Sequence, residues 1–165
     1  MGNSSVLEAG LLEVSLTRRI AAAPEFVFRA WIDAKHLAEW WGPKGFTNPV
    51  CEVDPRVGGA IRIHMRAPDG TVYPMTGRFV EIDRPHRLVF STAALDGEGR
   101  PMFEILNTVV FTPLAEGTEI SLVARVTSTT PAAPQFLAGM SQGWSQSLDR
   151  LAALVVQLSM CAIAS

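Results

Sequence analysis

Cysteine, tyrosine and histidine are scarce in this chain, with two, one and three among 165 residues. Cys51 and Cys161 stand far apart with no CxxC pairing, so neither a disulfide-stapled scaffold nor a cysteine zinc site is expected, and a reduced, cytoplasmic setting is. The histidines do not converge either. His36 and Glu39 share a three-residue spacing but lack further ligands, His64 alternates with Arg62 and Arg66 on the solvent side of a strand, and His86 sits in a turn. No metal, no cofactor and no catalytic residue is therefore expected. An excess of basic charge is also missing. Fourteen Lys and Arg against sixteen Asp and Glu give a net charge of −2, which excludes the phosphate-neutralising stripe of a nucleic-acid binder. There is no long hydrophobic run. The apolar stretch Leu151 to Ala164 is broken by Gln157 and Ser159 and falls short of the ~20 residues of a membrane span. Met1 to Gly10 has no basic n-region, Val6 spoils a myristoylation motif, and Cys161 is one place too early for a prenylation box. Gly42-Pro-Lys-Gly45 lacks the Gly-Lys-Ser/Thr ending of a phosphate loop, and no Gly-x-Ser-x-Gly elbow activates Ser141, Ser145 or Ser147.

What the chain does have is one long helical stripe. From Pro134 to Leu158, Leu137, Met140, Trp144, Leu148, Leu151, Val155 and Leu158 recur at three- and four-residue steps, the period of one helix face. Gly139 and Gly143 interrupt it. Each costs a helix about 1 kcal/mol relative to alanine, so either close helix–sheet packing or an open ligand space requires them.

Ahead of that helix the periodicity is of strands. Leu12 to Ile20 alternates in twos, and two short helices follow, one from Pro24 with Val27, Ala30 and Trp31 on a face, one capped by Asp33. Segments 48–53, 61–66, 73–82, 87–92, 102–112 and 118–127 then read as consecutive strands joined by short turns. In 73–82 the parity changes between Met75, Gly77, Phe79 and Ile82, which a bulge would reconcile. The order predicts an α+β fold: an antiparallel sheet of about seven strands gripping a long C-terminal helix, with residues 1–11 as an arm, 12–158 as the domain and 159–165 as a tail.

Five segments carry a family resemblance. Trp40-Trp41-Gly-Pro-Lys-Gly-Phe46, Asp54-Pro-Arg-Val-Gly-Gly59, Arg66-Ala-Pro-Asp-Gly70, Asp83-Arg-Pro-His-Arg-Leu-Val-Phe90 and Gln142-Gly-Trp-Ser-Gln-Ser-Leu-Asp-Arg-Leu151 together resemble a bacterial protein of the activator-of-Hsp90-ATPase-like family, over about Leu12 to Leu154. The resemblance implies the START-like, helix-grip fold and a cavity between sheet and helix. Members of that superfamily hold lipids, plant hormones or polyketides there, and some are aromatase/cyclases. The Hsp90 activator itself carries a further N-terminal domain, for which this chain has no room.

The cavity candidates follow from the pattern. Met140, Trp144 and Leu148 on the helix would face Ile61, Ile63, Met65, Phe79, Phe90, Val109 and Phe111 on the sheet. Trp40 and Trp41 point about 100° apart on a helix, so one of them would line the cavity mouth. Tyr73, Asn107 and Gln142 could orient a ligand in a mainly apolar space. Asp149 and Arg150 read as surface contacts. The favoured function is binding of a small hydrophobic or amphipathic molecule. A cyclase, hydrolase or isomerase acting on such a ligand is the alternative, as is a co-chaperone-like interaction module in which Leu154 to Ala164 serves a homodimer or another partner.

Overall fold

The structure, a computed structural model, describes residues 3–8, 11–129 and 139–164. Strands β1 (Asn3–Glu8) and β2 (Leu11–Ile20) lead into helices α1 (Pro24–Ile32) and α2 (Ala34–Trp40). Six strands follow: β3 (Thr47–Val53), β4 (Ala60–Arg66), β5 (Val72–Asp83), β6 (Arg87–Leu95), β7 (Pro101–Leu114) and β8 (Gly117–Thr129). The long helix α3 (Met140–Ala164) completes the order. All eight strands form one antiparallel sheet in the order β1-β2-β8-β7-β6-β5-β4-β3. Seven are the strands that alternation marks out. The eighth is β1, which pairs Asn3 through Glu8 with Leu16 through Leu11 where the sequence suggests an arm. The expected helix start at Pro134 and its first contact Leu137 lie outside the described residues. At its other end α3 runs on to Ala164, since neither Gly nor Pro occurs after Leu158 to stop it.

Strand β2 sits beside β8 while β3 forms the far edge, so α1 and α2 must carry the chain across the mouth of the sheet. Local chemistry makes that corner. Pro24 occupies the first turn of α1, where a missing N–H costs nothing. Asp33 then serves both helices. Its backbone N–H donates to Arg29 O at 3.0 Å, ending α1, and its carboxylate accepts from Lys35 N–H at 3.0 Å, starting α2.

The sheet curves around α3, and the core lies between them. Alternate residues face inward: Val14 and Leu16 on β2, Ile61 and Ile63 on β4, Ile120 and Leu122 on β8, each no more than 4 % exposed. From α3, Leu148, Leu151 and Val155 are fully buried against them. Each such side chain stabilises the fold by about 1.5–3 kcal/mol, which is why the helix stripe exists at all. The parity change in β5 is a bulge. Phe79 pairs with Phe90 and Glu81 with Val89, so Val80 is the extra residue, pushed outward and half-exposed, and Ile82 returns to the core face. Gly77 in the same strand is required by close approach, because a Cβ there would stand 2.0 Å from Ser91 O.

Neither Cys51 nor Cys161 is in a disulfide. Burial, and next the neighbouring Glu52 charge, push the Cys51 thiol up to about 11. It is therefore protonated near neutrality, and only the thiolate reacts. Iodoacetamide followed by peptide mass spectrometry should label exposed Cys161 first and Cys51 slowly, with Cys51 catching up as pH rises toward about 11. Equal labelling at neutral pH would contradict this.

Candidate functional site

A cavity of about 270 Å³ opens between α3 and the sheet. Its floor comes from four strands: Met65 on β4, Tyr73, Pro74 and Met75 on β5, Thr92 and Ala94 on β6, Phe103 and Ile105 on β7. Gly139, Met140, Gly143, Trp144 and Ser147 form the roof, and Trp41, Gly42 and Pro43 close one end. Among the described residues of this lining none is Asp, Glu, Lys, Arg or His.

The two glycines of α3 now have a physical reading. Among the described residues a Cβ at Gly139 would meet nothing within 4 Å, and one at Gly143 only Pro43 Cγ, at an ordinary 3.6 Å. Close packing does not require either glycine. Their missing side chains leave room in the cavity roof. Gly139 also accepts the first helical bond, from Gly143 N–H at 2.9 Å, and glycine is favoured at such a cap.

Trp40 and Trp41 part company because the helix ends between them. Trp41 is already extended (φ −63°, ψ 134°), so the 100° helical offset no longer governs it. Both rings are buried, at 0 % and 7 % exposure. Trp40 donates its indole N–H to Ala30 O at 2.9 Å inside the core, whereas Trp41 forms the cavity end. Trp41 meets Trp144 edge-on at 5.2 Å, and Trp144 stacks on Trp31 at 6.1 Å. With Trp31 and Trp40 4.6 Å apart, all four tryptophans of the chain form one cluster.

Of the residues expected at the site, Trp41, Met65, Tyr73, Met140 and Trp144 come together on this cavity. Ile61, Ile63, Phe79 and Phe90 lie deeper, around a void of only about 10 Å³ shared with Trp41 and Trp31. Val109, Phe111 and Leu148 are packed core, no more than 2 % exposed. Asn107 is fully buried on the inward face of β7, between Ile105 and Val109, and does not line the cavity, and Gln142 is exposed on α3. Sequence reasoning passed over Pro74, Met75, Thr92, Ala94, Phe103, Ile105 and Ser147. A uniform period-two reading of β5 to β7 could have singled out Met75, Thr92 and Ile105, which share the inward face with Phe79, Phe90 and Val109. Ser147 looks like a helix-surface serine, yet it is 5 % exposed and donates to Gly143 O at 2.9 Å.

Arg150 holds the cavity end in place. Its Nη1 donates to Trp41 O, Gly42 O and Pro43 O at 3.2, 2.9 and 3.0 Å, and its Nη2 to Glu39 O at 2.9 Å. Partial burial pulls the guanidinium pKa down from its ordinary value, but an arginine stays charged. Asp149, by contrast, is an exposed partner of Arg18 at 3.2 Å.

A larger hollow of about 580 Å³ lies on the outer face of the sheet, around Arg62, Thr76, Arg78 and Glu104. Those side chains are exposed and polar or charged, whereas the space under α3 lies between helix and sheet and is lined mainly by apolar side chains, so it is the better candidate. Among the described residues no three of His, Cys, Asp and Glu cluster as a metal site would need, and no helix is long and apolar enough to cross a membrane.

An antiparallel sheet curved around a long C-terminal helix, with two short helices after the first long strand, is the helix-grip arrangement of START-like ligand-binding domains. The sequence profile of the Activator of Hsp90 ATPase homolog 1-like protein family matches residues 21–156, and the chain belongs to this family. It is similar to a solved protein of Chromobacterium violaceum, 32% identical over 87% of this chain and 96% of that one, with a TM-score of 0.71. A protein of Nitrosomonas europaea is 26% identical over 91% and 97% of the two chains, with a TM-score of 0.76. The AHSA1 protein of Silicibacter pomeroyi, 24% identical over 88% and 98% with a TM-score of 0.71, shares the fold. Among curated proteins none matches this chain in sequence.

Proposed function

We propose that this protein binds a small hydrophobic or amphipathic molecule in the cavity between α3 and strands β4 to β7. The observation that carries this reading is a roofed apolar space in which Gly143 within α3 and Gly139 at its N-terminal cap lack side chains, with no packing contact among the described residues that demands it. The composition of the walls supports binding over turnover. Tryptophan and methionine offer large, adaptable apolar contact, and the described residues of the lining assemble no acid–base pair. A ligand seated there would lie against Trp41 and Trp144, so the tryptophan cluster serves as its reporter.

Titration with the neutral dye N-phenylnaphthylamine tests the reading. Dye emission should rise and tryptophan emission fall with a stoichiometry of one per chain, saturating in the micromolar range expected for a cavity of this kind. A response that never saturates, or dye that leaves the tryptophans unchanged, would sink it.

A further inference from the structure

One polar device sits at the cavity floor. Thr92, 7 % exposed, lines the cavity, and Asn107, 0 % exposed, lies diagonally beside it on the same inward face of the neighbouring strand. Asn107 Nδ2 reaches both Phe90 O at 3.2 Å and Thr92 Oγ1 at 3.1 Å. A carbonyl can only accept, so the amide nitrogen must face Phe90, and its second hydrogen must then go to Thr92. The Thr92 oxygen is thus an acceptor toward the protein. Its own hydrogen has no acceptor among the described residues. A buried hydroxyl that leaves its donor bond unmade loses stabilisation that a ligand atom can restore.

Charge and size narrow the ligand further. The described residues of the lining carry no formal charge to pair with an ion, and a desolvated carboxylate or ammonium would be strongly disfavoured there. A cavity of about 150 Å³ takes benzene, so about 270 Å³ suits two fused rings with a small substituent.

We propose that the cavity selects an uncharged, roughly two-ring ligand carrying an acceptor oxygen, which receives the Thr92 hydroxyl hydrogen. Asn107 is the positioning residue that turns this hydrogen toward the ligand. The inference rests on the cavity reading above and adds the chemistry of its occupant.

Three probes of one shape separate the possibilities: acetylnaphthalene, with an acceptor oxygen; isopropenylnaphthalene, with a methylene in its place; and naphthoate, an anion. Tryptophan quenching should give the ketone about 5–10-fold tighter binding than the hydrocarbon, the worth of one buried hydrogen bond. Naphthoate should bind more weakly than either. Thr92→Val, nearly isosteric and well suited to a strand, should bring the ketone-to-hydrocarbon ratio to about one. Asn107→Asp offers the Thr92 hydrogen a competing acceptor and should lower the same ratio, a readout that mere loss of stability would not move. Should that variant fail to fold, Thr92→Val decides alone. A wild-type ratio near one, a ratio that survives Thr92→Val, or naphthoate binding as tightly as the ketone would overturn the inference and leave the cavity reading standing. Binding of no probe at all would overturn both.

Discussion

Gly143→Leu should weaken N-phenylnaphthylamine binding by at least about 30-fold, roughly 2 kcal/mol, while the fold persists. The first carbon of the new side chain fits, because a Cβ at this position meets only Pro43 Cγ at 3.6 Å. The rest of the isobutyl group must then enter a space of about 270 Å³ between Trp144 and the sheet floor, where it competes with any occupant. Stability should move the other way. Glycine inside a helix costs about 1 kcal/mol relative to alanine, and leucine recovers most of that. Thermal melting and dye titration of the same variant thus give opposite signs. A variant that melts lower and still binds would mean that the glycine serves packing and that the space is not a binding site.

Arg150→Met should lower stability by about 2–3 kcal/mol, and Arg150→Lys should recover little of it. Charge-assisted hydrogen bonds contribute about 1.5–3 kcal/mol when shielded, and here one guanidinium serves four carbonyls. The bond to Glu39 O is exposed, so water can replace it, which keeps the expected loss well below the sum. A lysine ammonium cannot span the turn, since its three donors radiate from one atom while the planar fork of arginine reaches both Glu39 O and the Trp41 to Pro43 carbonyls. For a domain of this size the change corresponds to a melting shift of roughly 4–12 °C. Because Trp41, Gly42 and Pro43 form the cavity end, dye affinity should fall along with stability. A shift within about 1 °C would show that the carbonyls are equally well served by solvent.

Arg150 also illustrates where a sequence reading stops. Next to Asp149 on an amphipathic helix it looks like half of a solvated pair, and Asp149 is indeed exposed. Its true acceptors are backbone atoms more than a hundred residues earlier, and carbonyls carry no mark in the sequence that distinguishes one from another. Thr92 was legible only as an inward residue, for a similar reason. Alternation shows that β6 has an inward face, but not which inward residue meets the helix and which meets the gap beside it. Strand and helix identities were legible because side-chain burial repeats with the backbone period, two or 3.6, and the apolar residues of this chain hold those periods closely. Even the β5 bulge was announced, by a parity that fails between Phe79 and Ile82.

What the sequence by itself determined is therefore the element order, the inward faces and the helix that the sheet grips, since each is a local pattern repeated over several residues. Tertiary structure alone decided where the packing is incomplete. The stripe from Met140 to Val155 reads as one continuous buried face, yet Leu148, Leu151 and Val155 are sealed in the core while Met140 and Trp144 roof an open space. That division depends on how far the curved sheet diverges from the helix axis. Divergence is a property of two elements brought together, which no period along either one records.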